Sequence, residues 1–147
     1  MATFKAASVL KTPITCAQAG QIVAATGTYE VPETLADNDI VALCHLPAEH
    51  EPVDFFIQAD DLDTNGSPAL VFDVGVLNAD MDDLVASTNF ITGSTVGQAG
   101  GIARADVVLG LQLAASSADR VIGVKVTTVA GTPAAGTLKG VLMYKPK

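Results

Sequence analysis

Asp61-Leu62-Asp63-Thr64-Asn65-Gly66 is the arrangement most capable of chemistry in this sequence. It reproduces the first half of an EF-hand calcium loop, with oxygen donors at alternate positions and glycine at the sixth. Such a loop ends on a bidentate glutamate at its twelfth position, and here that position is Phe72. The flanks also read as strands and not as helices. The motif is therefore read as a hydrogen-bonded hairpin turn, with Asn65-Gly66 supplying the left-handed backbone of a tight reversal. A structural ion on Asp61, Asp63 and Asn65 is the alternative.

Other reactive side chains are sparse. Cys44 stands beside His45, but neighbours on a strand point to opposite faces, so they do not form a nucleophile–base pair. His45 and His50, with Cys44 or Glu49, straddle a turn without a recognised zinc spacing. Asp80, Asp82 and Asp83 resemble a carboxylate pair and read better as the solvated start of a helix. Gly97-Gln98-Ala99-Gly100-Gly101 is followed by no lysine and sits in no strand-to-helix unit, so it is read as a flexible loop and not a phosphate cradle. No catalytic residue, metal or cofactor is expected. Cys16 and Cys44 make no disulfide framework and read as reduced, buried side chains.

The elements that must position these residues are mostly strands. Residues Met1 to Gly20 read as an extended arm with one edge strand, followed by a single domain over 21–147. Strands are expected over Gln21–Tyr29, Asp39–Leu46, Val53–Asp60, Ala69–Val76, Arg120–Val129 and Thr137–Tyr144, with one or two more over Ile102–Ala115. A short helix is expected from Asn78 to Ala86, and a long loop over Thr88–Gly101. Val53, Phe55, Ile57 and Ala59 alternate with Asp54, Phe56, Gln58 and Asp60, placing Phe56 on the polar side. Seven to nine short strands without a strand–helix–strand rhythm indicate an all-β antiparallel sandwich of jelly-roll type, with an N-terminal arm and one short helix.

Charge and hydropathy narrow the function. No lysine or arginine lies between Thr12 and Ala103, while fourteen of the sixteen carboxylates lie between Glu30 and Asp83. Segregation of this kind suggests a fixed orientation against a partner. A net charge of −8 disfavours a general grip on nucleic acid or on anionic lipid. Nucleic acid and membrane are thus not expected partners. No apolar run is long enough to span a bilayer, and no signal peptide is read at the start. Only 16 % of residues are charged and mean hydropathy is +0.40, against roughly 25 % charged in an average domain. Apolar area left over from the core must then be covered. Val41 and Leu43 lie opposite Ile40, Ala42 and Cys44, and Val141 and Met143 lie opposite Leu138, Leu142 and Tyr144, so both faces of these strands are apolar. Cover by the arm, by the long loop or by a neighbouring subunit would each satisfy them.

The stretch from Asp60 through Asn65-Gly66-Ser67-Pro68 to Val76 resembles small structural proteins of tailed bacteriophages. So do Gly93-Ser94-Thr95-Val96-Gly97-Gln98-Ala99-Gly100-Gly101 and the final hairpin from Asp119 to Tyr144. The group it is most similar to is the head cement, or decoration, proteins. The resemblance spans about Asp37 to Tyr144. It implies a jelly roll on the outer capsid surface of the virion, made in the host cytoplasm, self-associating as a dimer or trimer and stapling major capsid protein subunits. Contact candidates under that reading are Phe56, Val41 and Leu43, with the arm through Phe4, Val9 and Leu10, and Lys5 and Lys11 as anchors on an acidic neighbour. A carbohydrate- or receptor-binding jelly roll of a phage tail or fibre is the alternative, and needs an aromatic platform from a chain with no Trp and only Tyr29 and Tyr144 as tyrosines. A cupin-like enzyme would need clustered ligands that two histidines do not supply.

Overall fold

The computed structural model describes residues 1–15 and 20–147. Cys16 lies outside the described residues. Nine strands are present among them: β1 (Thr3–Lys5), β2 (Val23–Val31), β3 (Ile40–Leu46), β4 (His50–Ala59), β5 (Val71–Val76), β6 (Ile91–Ser94), β7 (Gly101–Arg104), β8 (Arg120–Thr128) and β9 (Gly136–Pro146). They form two sheets, in the order β1-β3-β8-β5-β6 and β2-β9-β4-β7. The pairs are antiparallel except β1 with β3, which run parallel. This is the expected antiparallel sandwich of jelly-roll type.

Side-chain alternation builds the core. Tyr29, Leu138 and Ala59 face inward in one row, and Ala25, Leu142 and Phe55 in another. Phe55 meets Phe90 of the opposite layer at a ring separation of 5.5 Å, and Phe4 meets Tyr29 at 5.6 Å. Phe55, Phe90, Ile57, Leu43 and Leu142 are fully buried, each worth about 2–3 kcal/mol of transfer free energy. The sheets approach closely where glycine permits it. A Cβ on Gly27 would stand 1.8 Å from the Leu43 carbonyl oxygen, inside any contact distance.

Several expectations are corrected. β4 and β5 belong to different sheets, as do β8 and β9. The Asp63–Gly66 turn and the 129–135 connection are therefore crossovers between layers, not hairpins. Local turn chemistry is the same in both cases, and only the packing decides which sheet receives the next strand. No helix forms over 78–86. The Asn78 side-chain oxygen accepts the N–H groups of Asp82 and Asp83, and Met81 takes φ 57°, which replaces helical bonding with a side-chain-capped turn. Among the described residues, the α-helical turn lies instead at α1 (Val108–Leu111). The 88–101 stretch contains β6 and a 3-10 turn over Val96–Gln98, where Gly97 is buried and its carbonyl accepts the Leu62 N–H. A bulge between Pro52 and Asp54 turns Val53 outward, to 37 % exposure, and interrupts the clean alternation expected for β4.

The N-terminal segment lies on the sandwich. β1 adds to the edge of β3, Ala6 N–H donates to the Ala42 carbonyl, Ser8 Oγ–H donates to the Leu43 carbonyl, and Ala6 and Val9 join the core. The Tyr144 hydroxyl donates to the Ile14 carbonyl, pinning the chain further along.

Charge is less segregated in space than along the chain. Arg104 pairs with Asp54 at 2.8 Å, Lys125 with Asp83 at 2.7 Å and Lys145 with Glu51 at 3.9 Å. Each pair joins the acidic middle to a basic flank, because β7, β8 and β9 return alongside the elements that carry the acids.

Candidate interaction surface

The aspartate loop is a structural hub. Asp63 is almost fully buried, and its carboxylate accepts the N–H groups of Asn65, Ala69, Leu70, Gly131 and Thr132, at 2.7–3.3 Å. Burial opposes its ionisation. The donors of Thr132, Ala69, Gly131 and Leu70 together outweigh that penalty and hold the carboxyl below the ordinary carboxylate range. A ring of N–H groups favours negative charge and repels a cation. Asp61 Oδ1 accepts the Asp63 N–H and Asn65 Oδ1 accepts the Ser67 N–H. The calcium-loop alternative is thus replaced by a carboxylate that clasps both inter-sheet crossovers.

Cys44 and His45 do not act on each other. Burial pushes the Cys44 thiol up to about 12, so at neutral pH it is a protonated donor, 3.4 Å from the Gly140 carbonyl. A His45 ring N–H donates to the Val9 carbonyl at 2.8 Å. His50 donates from Nδ1 to the Ala48 carbonyl and stands edge-on to Tyr144. A cavity of about 320 Å³ lies between residues 8–14 and the β2–β3 corner, reached by Lys11, Ile14, Ala25, Cys44, His45 and Tyr144. Among the described residues, no three His, Cys, Asp or Glu side chains converge as metal ligands.

The surfaces available to a partner follow from the pleat. On the β1-β3-β8-β5-β6 sheet, Ala42, Gly123 and Gly75 share the outer face. Leu77 covers Gly123, and Thr88 and Asn89 cover Gly75. Thr3 Oγ1 donates to the Met81 carbonyl, and Lys125 reaches Asp83, fastening the 77–90 segment over this face. The second apolar face of β3 is therefore covered within the chain.

The β2-β9-β4-β7 sheet differs. Its outer face carries the cross-strand rows Ala24, Met143, Asp54; then Thr26, Val141, Phe56, Arg104; then Thr28, Lys139, Gln58, Ile102. Phe56 and Met143 are half-buried by their neighbours, and Ile102 is 68 % exposed. The Arg104–Asp54 pair stands beside Phe56 on this face.

The contact candidates divide accordingly. Val41 and Leu43 are fully buried inside the chain and Val9 nearly so, which leaves them no surface for a partner. Phe4 turns its ring to Tyr29. Lys5, Leu10, Lys11 and Phe56 do present surface. Sequence reasoning had paired Val141 with Met143 but missed Ile102, Arg104, Val108 and Leu109. Their signal was the apolar run Val107-Val108-Leu109 in a charge-poor stretch. Tyr29 packs on Phe4 and Tyr144 is fully buried, so the two tyrosines do not form the exposed platform that a glycan-binding jelly roll requires.

No family model matches this sequence. No curated protein matches it either. Among solved structures, the fold is similar to a chain of the capsid of Ralstonia phage GP4, with a TM-score of 0.87 and 28 % identity over 99 % of this chain and 98 % of that one. It is also similar to a chain of the cyanophage Pam1 capsid asymmetric unit, with a TM-score of 0.73 and 24 % identity over 94 % and 96 % of the two chains. The structural neighbours of this chain are thus phage capsid chains, in line with the resemblance drawn from its turns and core strands.

Proposed function

We propose that this chain is a non-enzymatic virion structural protein: a cement protein that docks as an oligomer on the outside of a tailed-bacteriophage capsid and bridges major capsid protein subunits. The observation that carries the reading is the near-complete, two-way overlap with the Ralstonia phage GP4 capsid chain. The whole sandwich, N-terminal segment included, is accounted for by a fold found in a phage shell. The outer face around Phe56 and Met143 is the surface assigned to the shell. It combines an aromatic ring, aliphatic area and an Arg–Asp pair, the composition of an interface centre and not of a solvated sheet.

The mechanism is passive. A protein that binds only the assembled shell stabilises it by mass action, by RT ln(1 + [L]/Kd), which is about 2.7 kcal/mol per site at a hundredfold excess over Kd. An oligomer touching several subunits at once adds effective concentration, so modest single contacts sum to firm attachment. The test is co-sedimentation with empty heads of the cognate capsid stripped of this protein, followed by heating. Saturable binding of the native chain that raises the head disruption temperature supports the reading. Heads that neither bind it nor gain resistance refute it.

A further inference from the structure

Four strands border the sandwich. β1, β6 and β7 are three, four and four residues long, whereas β2 runs for nine. β2 contains no proline, lysine or arginine, and its register with β9 runs from Val23 to Val31 without a shift. Bulges interrupt the β3–β8, β4–β9, β5–β6 and β5–β8 ladders. Shortness, proline, lysine and bulges keep an edge strand from pairing with another chain, and β2 uses none of them. Its one charged residue, Glu30, stands next to its end.

The pleat fixes where the backbone groups of this edge point. Thr137 donates its N–H to Asp60 Oδ2 and accepts the Asp60 N–H, so both of its backbone groups turn toward β4. Thr137 stands opposite Glu30. Theirs is therefore a non-bonded pair, which turns the Glu30 N–H and C=O away from β9. With a period of two, Thr28, Thr26 and Ala24 turn theirs the same way. Among the described residues, no hydrogen bond reaches the backbone of these four. Ala24, Thr26 and Thr28 are also short, so another backbone can approach to ladder distance.

The layering leaves room there. One sheet has five strands and the other four. β2 packs on β3 where Gly27 meets the Leu43 carbonyl, and Phe4 of β1 reaches inward to Tyr29. Among the described residues, no strand therefore stands opposite β1, and a strand added beside β2 would complete the smaller sheet. Phe56 lies two strands from this edge on the same sheet, about 10 Å at ordinary strand spacing. A shell subunit that covers Phe56 reaches β2.

We infer that β2 is a strand-addition site. An extended segment of a major capsid protein subunit pairs along Ala24–Glu30 as the fifth strand of the β2-β9-β4-β7 sheet. The main-chain groups of Ala24, Thr26, Thr28 and Glu30 carry the contact, and the threonines favour β-branched side chains across the pair. The inference rests on the cement reading and names the form of the partner segment.

The test is amide exchange on native chain bound to empty heads, quenched and read by NMR on the released, labelled chain. In the free chain, the amides of Ala24, Thr26, Thr28 and Glu30 are expected to exchange quickly, between protected amides at Ala25, Gly27 and Tyr29. On heads, the four are expected to slow at least tenfold. Thr28→Pro removes one outward N–H without touching the β9 ladder, and circular dichroism checks that it keeps the native sheet signal. It should weaken co-sedimentation with heads at least tenfold more than Thr28→Ala, which keeps the N–H. If Thr28→Pro loses the sheet signal, exchange alone decides. Bound heads that leave the four amides fast, or a folded Thr28→Pro that loses no more than Thr28→Ala, overturn the inference and leave the cement reading standing. Amides already slow in the free chain overturn it in favour of a second copy at this edge. Heads that do not bind the native chain overturn both readings.

Discussion

On the outside of the β1-β3-β8-β5-β6 sheet, the row Ala42, Gly123, Gly75 lies beneath Leu77, Thr88 and Asn89. On the outside of the β2-β9-β4-β7 sheet, the row Thr26, Val141, Phe56, Arg104 lies beneath no described element. The first row is made of the smallest side chains, and a Cβ at Gly123 would stand only 2.8 Å from Leu77 Cδ1. Such a row leaves a trough that must be filled, and the chain fills it with its own 77–90 segment. The second row is made of branched and long side chains that shelter one another, bringing Val141 to 8 % exposure without a covering segment. Size along the strand thus separates a face closed by its own chain from a face left for a neighbour.

The contrast breaks most completely where both layers are tied together. Asp63→Ala removes the shared acceptor of N–H groups on both crossovers. Calorimetry is expected to show a fall in Tm of roughly 10 °C or more. The sign of the pH effect follows from its depressed carboxyl. The stabilisation is fully present above the unfolded-state value of about 4 and is lost as pH falls through the lower folded-state value. An Asp63→Asn variant should therefore show a shallower loss of stability on acidification than the native chain.

Next in size is the cover itself. Leu77 is 5 % exposed, and Leu77→Ala is expected to cost about 2–4 kcal/mol in urea unfolding by leaving a void over Gly123. Amide exchange should rise along 77–90 and β8 but not in β2. If β2 is equally deprotected, the two faces are not independent.

On the open face the effect moves from stability to binding. Phe56→Ser is expected to cost roughly 1 kcal/mol of fold stability, since the ring is half-buried. It should weaken co-sedimentation with heads at least tenfold. Unchanged head binding would move the shell contact elsewhere on the molecule.

The smallest effect is the fastening of the cover. Asp83 is 56 % exposed and Lys125 21 %, so Lys125→Met should change stability by less than about 1 kcal/mol. The Lys125 hydrogen bond holds the Asp83 carboxyl below its ordinary value, so this small term too is present at neutral pH and fades on acidification. Chemical unfolding of the variant at two pH values checks both statements.

Most strands were readable from residue types, because alternation and turn chemistry are local. The alternation of Phe55, Ile57 and Ala59 held. The helix at 78–86 was misread because an Asn side chain that can cap a helix can equally close a turn, and nothing in so short a segment distinguishes the two. The two hairpins were misread because a tight reversal has the same composition whether it returns to its own sheet or crosses to the other.

The candidate surface was legible in part. Phe56 and the apolar second face at Val141 and Met143 stood out from their polar neighbours. Val41 and Leu43 looked equally exposed by the same criterion and are buried. An apolar residue on a second face reports that cover exists, not which segment supplies it.

The amino-acid order alone determined the strand periodicity, the shortage of charge and the excess of apolar area, because each depends on neighbours one or two residues apart. Only the folded chain decided which sheet each strand joined, which acids met which bases, and that Asp63 clasps backbone N–H groups and not a cation. Those outcomes depend on partners far apart along the chain, such as Lys145 with Glu51 and Thr132 with Asp63. Their free energy comes from burial and from hydrogen bonds that exist only after the two layers close.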